Sequence, residues 1–171
     1  MGKAINKLLE IGSKAVAANE PSLGFPLRQL SEVLSRELLA MLSVKNGFYS
    51  FESALHVFPD RSKEAEIGLD EWNSAELWIK WYQGLAEGCL FFAEDIFGNQ
   101  FCIKENQIFT FDAETGQLSH LADNLEGWAH AVLDDYGVLT GYTIAREWQE
   151  SYGKIPVGKR LAPKRFFVVG G

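Results

Sequence analysis

The sequence predicts an α+β fold in a single domain, with a central antiparallel β-meander flanked by N-terminal and C-terminal helices. Three observations lead there. Residues 89–121 contain four short β-prone runs parted by turn-forming residues, and the segments on either side repeat apolar residues every three or four positions. Strand and helix patterns nowhere alternate, so a doubly wound parallel sheet has no support.

Each element has its own local reason. Ile5, Leu8, Leu9, Gly12 and Val16 fall on one stripe of an amphipathic helix over 4–18, with Lys3, Asn6, Lys7 and Lys14 mostly off it. Pro21, Gly24 and Pro26 punctuate a loop. Leu27, Leu30, Val33, Leu34, Leu38, Met41 and Leu42 then predict two short helices, or one bent near Ser35. Asn46-Gly47 offers the left-handed backbone that ends a helix. Residues 48–59 read as short strands, and Pro59, Asp60 and Ser62 mark the next loop. Between 70 and 83 the spacing of Trp72, Leu77, Trp78, Trp81 and Tyr82 predicts a helix with Gly84 as its stop, whose aromatic stripe would be a binding face if exposed but at helical spacing belongs more often in the core.

The meander follows, with runs at 89–94, 100–105, 108–112 and 117–121. Its separators, 95–99, Asn106 and Glu114-Thr115-Gly116, all carry turn chemistry. Phe91, Phe92, Phe97, Phe101, Phe109 and Phe111 are expected to supply one face of the core. Asn124 caps a helix to about Asp135, with Leu125, Trp128, Ala129, Val132 and Leu133 inward. Another helix over 140–152 carries Ile144, Ala145 and Trp148 on one side. The expected domain thus runs over 1–171, with N-terminal helices at about 4–46, a sheet core at about 48–122, and C-terminal helices and a last strand at about 124–171.

Composition narrows the function classes. With 47% hydrophobic and 23% charged residues, the chain is ordinary globular protein and not a disordered or collagen-like one. At this length about 70% of the unfolded surface is buried on folding, enough for a core without metal or disulfide staples. Cys89 and Cys102 lie in apolar segments without C-x-x-C spacing, so both read as buried hydrophobes, and no cofactor or metal is expected. The longest apolar run near the start, 15–18, falls short of the roughly 7–15 residues of a signal-peptide core, and no stretch approaches a membrane span. The expectation is a soluble, cytoplasmic protein.

Net charge is −7, but it is unevenly placed. Residues 64–135 hold fifteen acids against Lys80 and Lys104, a local balance of −13, and the rest of the chain carries +6. The segment 154–165 alone has Lys154, Lys159, Arg160, Lys164 and Arg165 without an acid. An acidic middle repels nucleic acid and attracts basic proteins. The basic segment could be an interface, but it is read first as contacting the chain's own acids or as a solvated end.

Enzymatic motifs do not survive inspection. GKIPVGK at 153–159 matches a phosphate-binding loop, yet Arg160 stands where Ser or Thr should bind magnesium, and Pro163 prevents a helix from starting there. His56, His120 and His130 lack H-E-x-x-H spacing, and no G-x-S-x-G elbow occurs. Glu94-Asp95 and Asp112 with Glu114 are the carboxylate pairs a hydrolase would use, but at hairpin turns such acids bond backbone amides. The reading is therefore not an enzyme.

The stretch LFFAEDIFGNQFCIKENQIFTFDAETGQLSHLADNL, residues 90–125, resembles the SUKH superfamily, a group that includes fungal cell-wall regulators and bacterial toxin-immunity proteins. The resemblance rests on Glu94-Asp95, Phe97-Gly98, Phe101, Phe111-Asp112, Thr115-Gly116 and Ala122-Asp123 in that order, followed by Trp128. Leu38, Leu42, Asn46-Gly47-Phe48 and Phe51 extend it upstream, and Pro163-Lys164 to Gly170-Gly171 extends it downstream as a final strand. Arg165 departs from the family's usual Pro. What the resemblance implies is a non-catalytic binding module: an immunity protein that neutralises a contact-delivered toxin of nuclease or deaminase type by direct binding in the cytoplasm. The alternative it implies is a regulatory adaptor binding endogenous proteins. A basic protein toxin suits the acidic segment. Glu94, Asp95, Asp112, Glu114 and Asp123 are the candidate partner-binding residues on an acidic sheet and loop face, with turn formation as their competing role.

Overall fold

The computed structural model describes residues 1–22, 32–63, 66–165 and 167–169. Among them run α1 (Lys3–Ile11), α2 (Glu32–Val44), β1 (Phe48–Ser50), β2 (Leu55–Val57), α3 (Leu69–Trp72), β3 (Leu90–Asp95), β4 (Gln100–Lys104), β5 (Gln107–Phe111), β6 (Leu118–Ala122), α4 (Leu125–Asp134), α5 (Tyr136–Leu139) and α6 (Tyr142–Tyr152). The strands form one antiparallel sheet in the order β1-β2-β3-β4-β5-β6, so every neighbour in sequence is a neighbour in space. This is the α+β meander flanked by helices that the sequence predicts.

Local chemistry explains the joints. In the two-residue hairpin between β4 and β5, Glu105 and Asn106 both take positive φ, the backbone twist such a turn needs. Asn124 Oδ1 accepts the Gly127 amide at 2.8 Å and starts α4 as expected. Gly47 has φ +70°, and a Cβ there would lie 2.7 Å from the Pro59 nitrogen. Asn46 fixes this crossing by donating to Asp60 Oδ1 at 2.7 Å while its own Oδ1 accepts the Asp60 amide at 2.9 Å.

Both faces of the sheet are covered. One carries Phe92, Phe101, Ile103 and Ile108 against Leu8, Leu38, Met41 and Trp128 of the helices, forming the main core. The other carries Phe91, Cys102 and Phe111 against Trp72, Trp78 and Tyr82. The meander phenylalanines therefore do not share one face: adjacent strand residues point oppositely, so Phe91 and Phe92 part company. Phe97 joins neither, packing with Ile96, Ala145 and Ile155 in a third cluster under α6.

Other expectations change too. The first helix stops at Ile11, and Ser13 to Ala17 instead bond back to β1 and its approach: the Ser13, Val16 and Ala17 amides donate to Tyr49, Gly47 and Asn46 carbonyls at 2.7–2.9 Å. The expected helix over 70–83 is α3 followed by turns and a 3₁₀ turn at Ile79–Tyr82. Asn73 breaks it, because β2 is too short to pair with Phe91 and the Asn73 side chain takes that place, accepting the Phe91 amide at 2.7 Å and donating to its carbonyl at 2.8 Å. Ile144 is half exposed, unlike its neighbour Ala145. Of the stretch expected as a last strand, Phe167–Val169 forms a 3₁₀ turn, and residues 166, 170 and 171 lie outside the described residues. The part of the second predicted helix before Glu32 also lies outside them.

Candidate functional site

The β3–β4 and β5–β6 turns meet at one end of the sheet, where Asn99 joins them by accepting the Ala113 amide at 3.0 Å. Four of the five candidate acids, Glu94, Asp95, Asp112 and Glu114, converge here. Asp123 does not: it sits past β6 at the opposite end, exposed, 3.3 Å from His120 Nε2 and accepting from Gln107 at 3.0 Å.

The four converging acids are engaged within the chain. Asp95 is buried and its carboxylate accepts the Phe97 and Asn99 amides at 2.8 and 2.9 Å and the Asn99 side chain at 2.8 Å. Burial still outweighs these bonds and pushes its carboxyl up to about 6. Asp112 Oδ1 accepts the amides of Glu114 and Thr115 and the Thr115 hydroxyl at 2.8–2.9 Å. Glu114 accepts the Phe167 and Val168 amides at 2.9 and 3.0 Å, so it holds the C-terminal segment. The turn-forming role is thus filled at Asp95 and Asp112, and Glu94 and Asp95 are buried inside a face the sequence suggested was open.

Glu94 belongs to a buried polar cluster that sequence reading missed. Its Oε1 receives the guanidinium of Arg160 and lies 3.1 Å from His56 Nδ1, while Oε2 accepts from Gln100 at 3.3 Å. Glu66 lies 3.6 Å from the other His56 nitrogen and accepts the Tyr49 hydroxyl at 2.8 Å. Tyr49 stacks on His56 at 4.3 Å between ring centroids, and Arg160 lies 5.7 Å from the Tyr49 ring. Burial holds His56 below its usual pKa despite the Glu94 hydrogen bond. Burial alone would raise Glu94, but His56 and Arg160 together bring it below the ordinary carboxylate range. Burial, aided by Glu66 and against the nearby Arg160 charge, lifts Tyr49 to about 12. The one signal in sequence was Arg160 inside an acid-free basic stretch; its partner is 66 residues away in the chain.

Arg160 and Glu94 also floor a cavity of about 490 Å³ whose walls include Trp72, Trp78, Trp81 and Tyr82. Trp72 and Trp78 are half buried, as a core stripe requires, but Trp81 is 75% exposed at the mouth. The same segment turns Leu77 and Leu85 outward and carries exposed Asp70, Glu71, Glu76 and Glu87 against the single cation Lys80. This gives apolar anchors in an acidic surround.

The thiols show a milder departure: Cys102 is buried, while Cys89 is half exposed. Among the described residues no group of three or more His, Cys, Asp and Glu side chains is placed to hold a metal ion, and no helix is long and apolar enough to cross a membrane. Compared with protein families, characterised proteins and solved structures, the chain matches none of them.

Proposed function

We propose that this chain is a non-catalytic binding protein of the SUKH type that acts in the cytoplasm as an immunity protein, neutralising a basic protein toxin by direct association. The observation that carries the reading is the acidic segment around Trp81, with Leu77 and Leu85 exposed beside it. Binding energy in protein interfaces concentrates on a few aromatic anchors surrounded by a polar rim, and the carboxylates here give that rim one sign. A nuclease surface that holds phosphate is basic, so opposite fields speed encounter and covering the site suffices to inhibit. The SUKH resemblance over residues 90–125 supports the same class of function.

The docking face moves accordingly. Glu94, Asp95 and Asp112 maintain the end of the sheet, while Trp81 and the exposed acids of segment 69–87 meet the partner. Co-expression with the toxic domain of a large secreted protein encoded beside this gene is the test. Growth rescue with a stable complex is expected, and Trp81→Ala should weaken the complex by about 30-fold or more, the loss typical of an aromatic hot spot. A toxin that still kills in the presence of the folded protein would move the weight to an adaptor that binds endogenous proteins.

A further inference from the structure

The cavity behind Trp81 says more about the partner than surface charge does. Apart from the indole of the exposed Trp81 and Nε of Arg160, its polar wall side chains are already used within the chain. The Trp72 indole donates to Gln100 Oε1 at 2.8 Å, the Trp78 indole to the Trp72 carbonyl at 2.9 Å, and the Tyr82 hydroxyl to the Ala113 carbonyl at 2.5 Å. Gln100 Nε2 donates to the Gly98 carbonyl at 2.7 Å, and Glu94 and Arg160 neutralise one another at the floor. Arg160 Nε has no hydrogen-bond partner, but it is fully covered and offers nothing to a guest. A sugar or nucleotide entering this space would lose its water and find those groups taken, a cost of about 1–3 kcal/mol for each unsatisfied polar group. An apolar guest meets aromatic faces and loses nothing.

Size and charge define the guest further. At about 490 Å³ the cavity lies toward the lower end of the roughly 300–1,000 Å³ of small-ligand sites, room for a side chain and not for a helix. Four of its wall residues stand on the segment that exposes four carboxylates against Lys80, and Ala113, another wall residue, has Asp112 and Glu114 as chain neighbours. Lys80 is itself held 3.7 Å from Glu76.

We infer that this cavity receives one large apolar side chain of a partner protein, aromatic by preference, flanked in the partner by lysine or arginine. The ring lies against the faces of Trp72, Trp78 and Tyr82 that line the cavity, Trp81 closes over it, and the flanking cations lie against the exposed carboxylates. That the bearer is a protein rests on the function proposed above; the chemistry of the pocket does not.

The test uses the full chain, ¹⁵N-labelled, titrated with acetyl-Lys-Trp-Lys-amide, acetyl-Glu-Trp-Glu-amide, acetyl-Lys-Gly-Lys-amide and adenosine monophosphate, following the indole N–H resonances of Trp72 and Trp78. Saturable shifts with Lys-Trp-Lys are expected, with at least about tenfold weaker response to the acid-flanked and Gly-centred peptides and none to the nucleotide. Trp81→Ala should weaken the Lys-Trp-Lys titration while its urea midpoint stays that of the parent. Equal response to the acid-flanked or Gly-centred peptide, a response to the nucleotide, or shifts that avoid both indoles would overturn the inference. A toxin rescued by a protein whose pocket ignores these peptides would sink the pocket and keep the immunity reading; the opposite pair of results would do the reverse.

Discussion

Arg160, in the segment that follows the last helix, seats its guanidinium on the buried carboxylate of Glu94 in β3, where His56 approaches the same oxygen. This contact ties the C-terminal segment to the end of β3, and the Leu161 amide continues it by donating to the Ile96 carbonyl at 2.9 Å.

Removing the cation leaves a carboxylate in a site with little water. Arg160→Met is expected to lower the unfolding free energy by about 3–5 kcal/mol, the usual cost of breaking one side of a buried pair. Glu94→Gln added to Arg160→Met should restore most of it, because the carboxylate that lost its cation is then neutral. Urea unfolding of the two single variants and the double variant measures this, and additive losses would contradict it.

Acid should weaken the fold through His56. Its folded pKa lies below the ordinary 6.5, so the unfolded chain binds the proton first. Its stabilising contribution is complete above pH 6.5 and declines as pH falls through that value toward the lower folded pKa. Glu94, also depressed, adds a loss in the same direction below 4.5. Asp95, raised to about 6, acts oppositely, its folded form gaining relative stability as pH falls from about 6 toward 3.8. His56→Gln should therefore flatten the fall in urea midpoint as pH drops below about 6.5, and Asp95→Asn should steepen the fall between about 6 and 4. Unchanged slopes in both variants would refute the assignment.

Gly2 is required by a contact between α1 and α4. Glu126, in the first turn of α4, accepts the Ala4 and Ile5 amides of α1 at 2.7 and 3.1 Å, and a Cβ on Gly2 would lie 2.0 Å from its Cδ. Glu126→Ala should cost about 1–2 kcal/mol by leaving the α1 amides uncapped. Gly2→Ala should cost a similar amount by displacing the same carboxylate, and the double variant should lose little beyond either alone. Thermal melts of the three proteins decide it.

Glu114 holds backbone amides of the C-terminal segment, so charge reversal there acts on that segment first. In Glu114→Lys, hydrogen exchange at Phe167 and Val168 should accelerate strongly while the core amides of Phe92 and Phe101 stay protected. Parent-like exchange at Phe167 and Val168 would remove Glu114 from this role.

Where the chain's own neighbours decide its shape, the sequence could be read. Turn residues and alternating apolar runs placed β3 to β6 within a residue or so, and Asn124 marked the start of α4. The helix over 70–83 misled because its apolar spacing was genuine, while Asn73 was claimed by the unpaired backbone of Phe91, a demand visible only once β2 proves short. The carboxylates at 94–95 and 112–114 were found for their composition, but whether each faced water or amides could not be read from neighbours in the chain.

By itself, then, the sequence determined the α+β class, the meander and its turns, and the acidic character of the middle of the chain, since these depend on residue type and short-range spacing. Tertiary structure alone decided that Glu94 is buried under Arg160, that Asp123 stands apart from the other four acids, and that Trp81 stays exposed while Trp128 is fully enclosed. The reason is physical: burial and charge pairing depend on which distant segments the folded chain brings together, and pairs such as 94 with 160 or 114 with 167 carry no periodicity that a linear reading could detect.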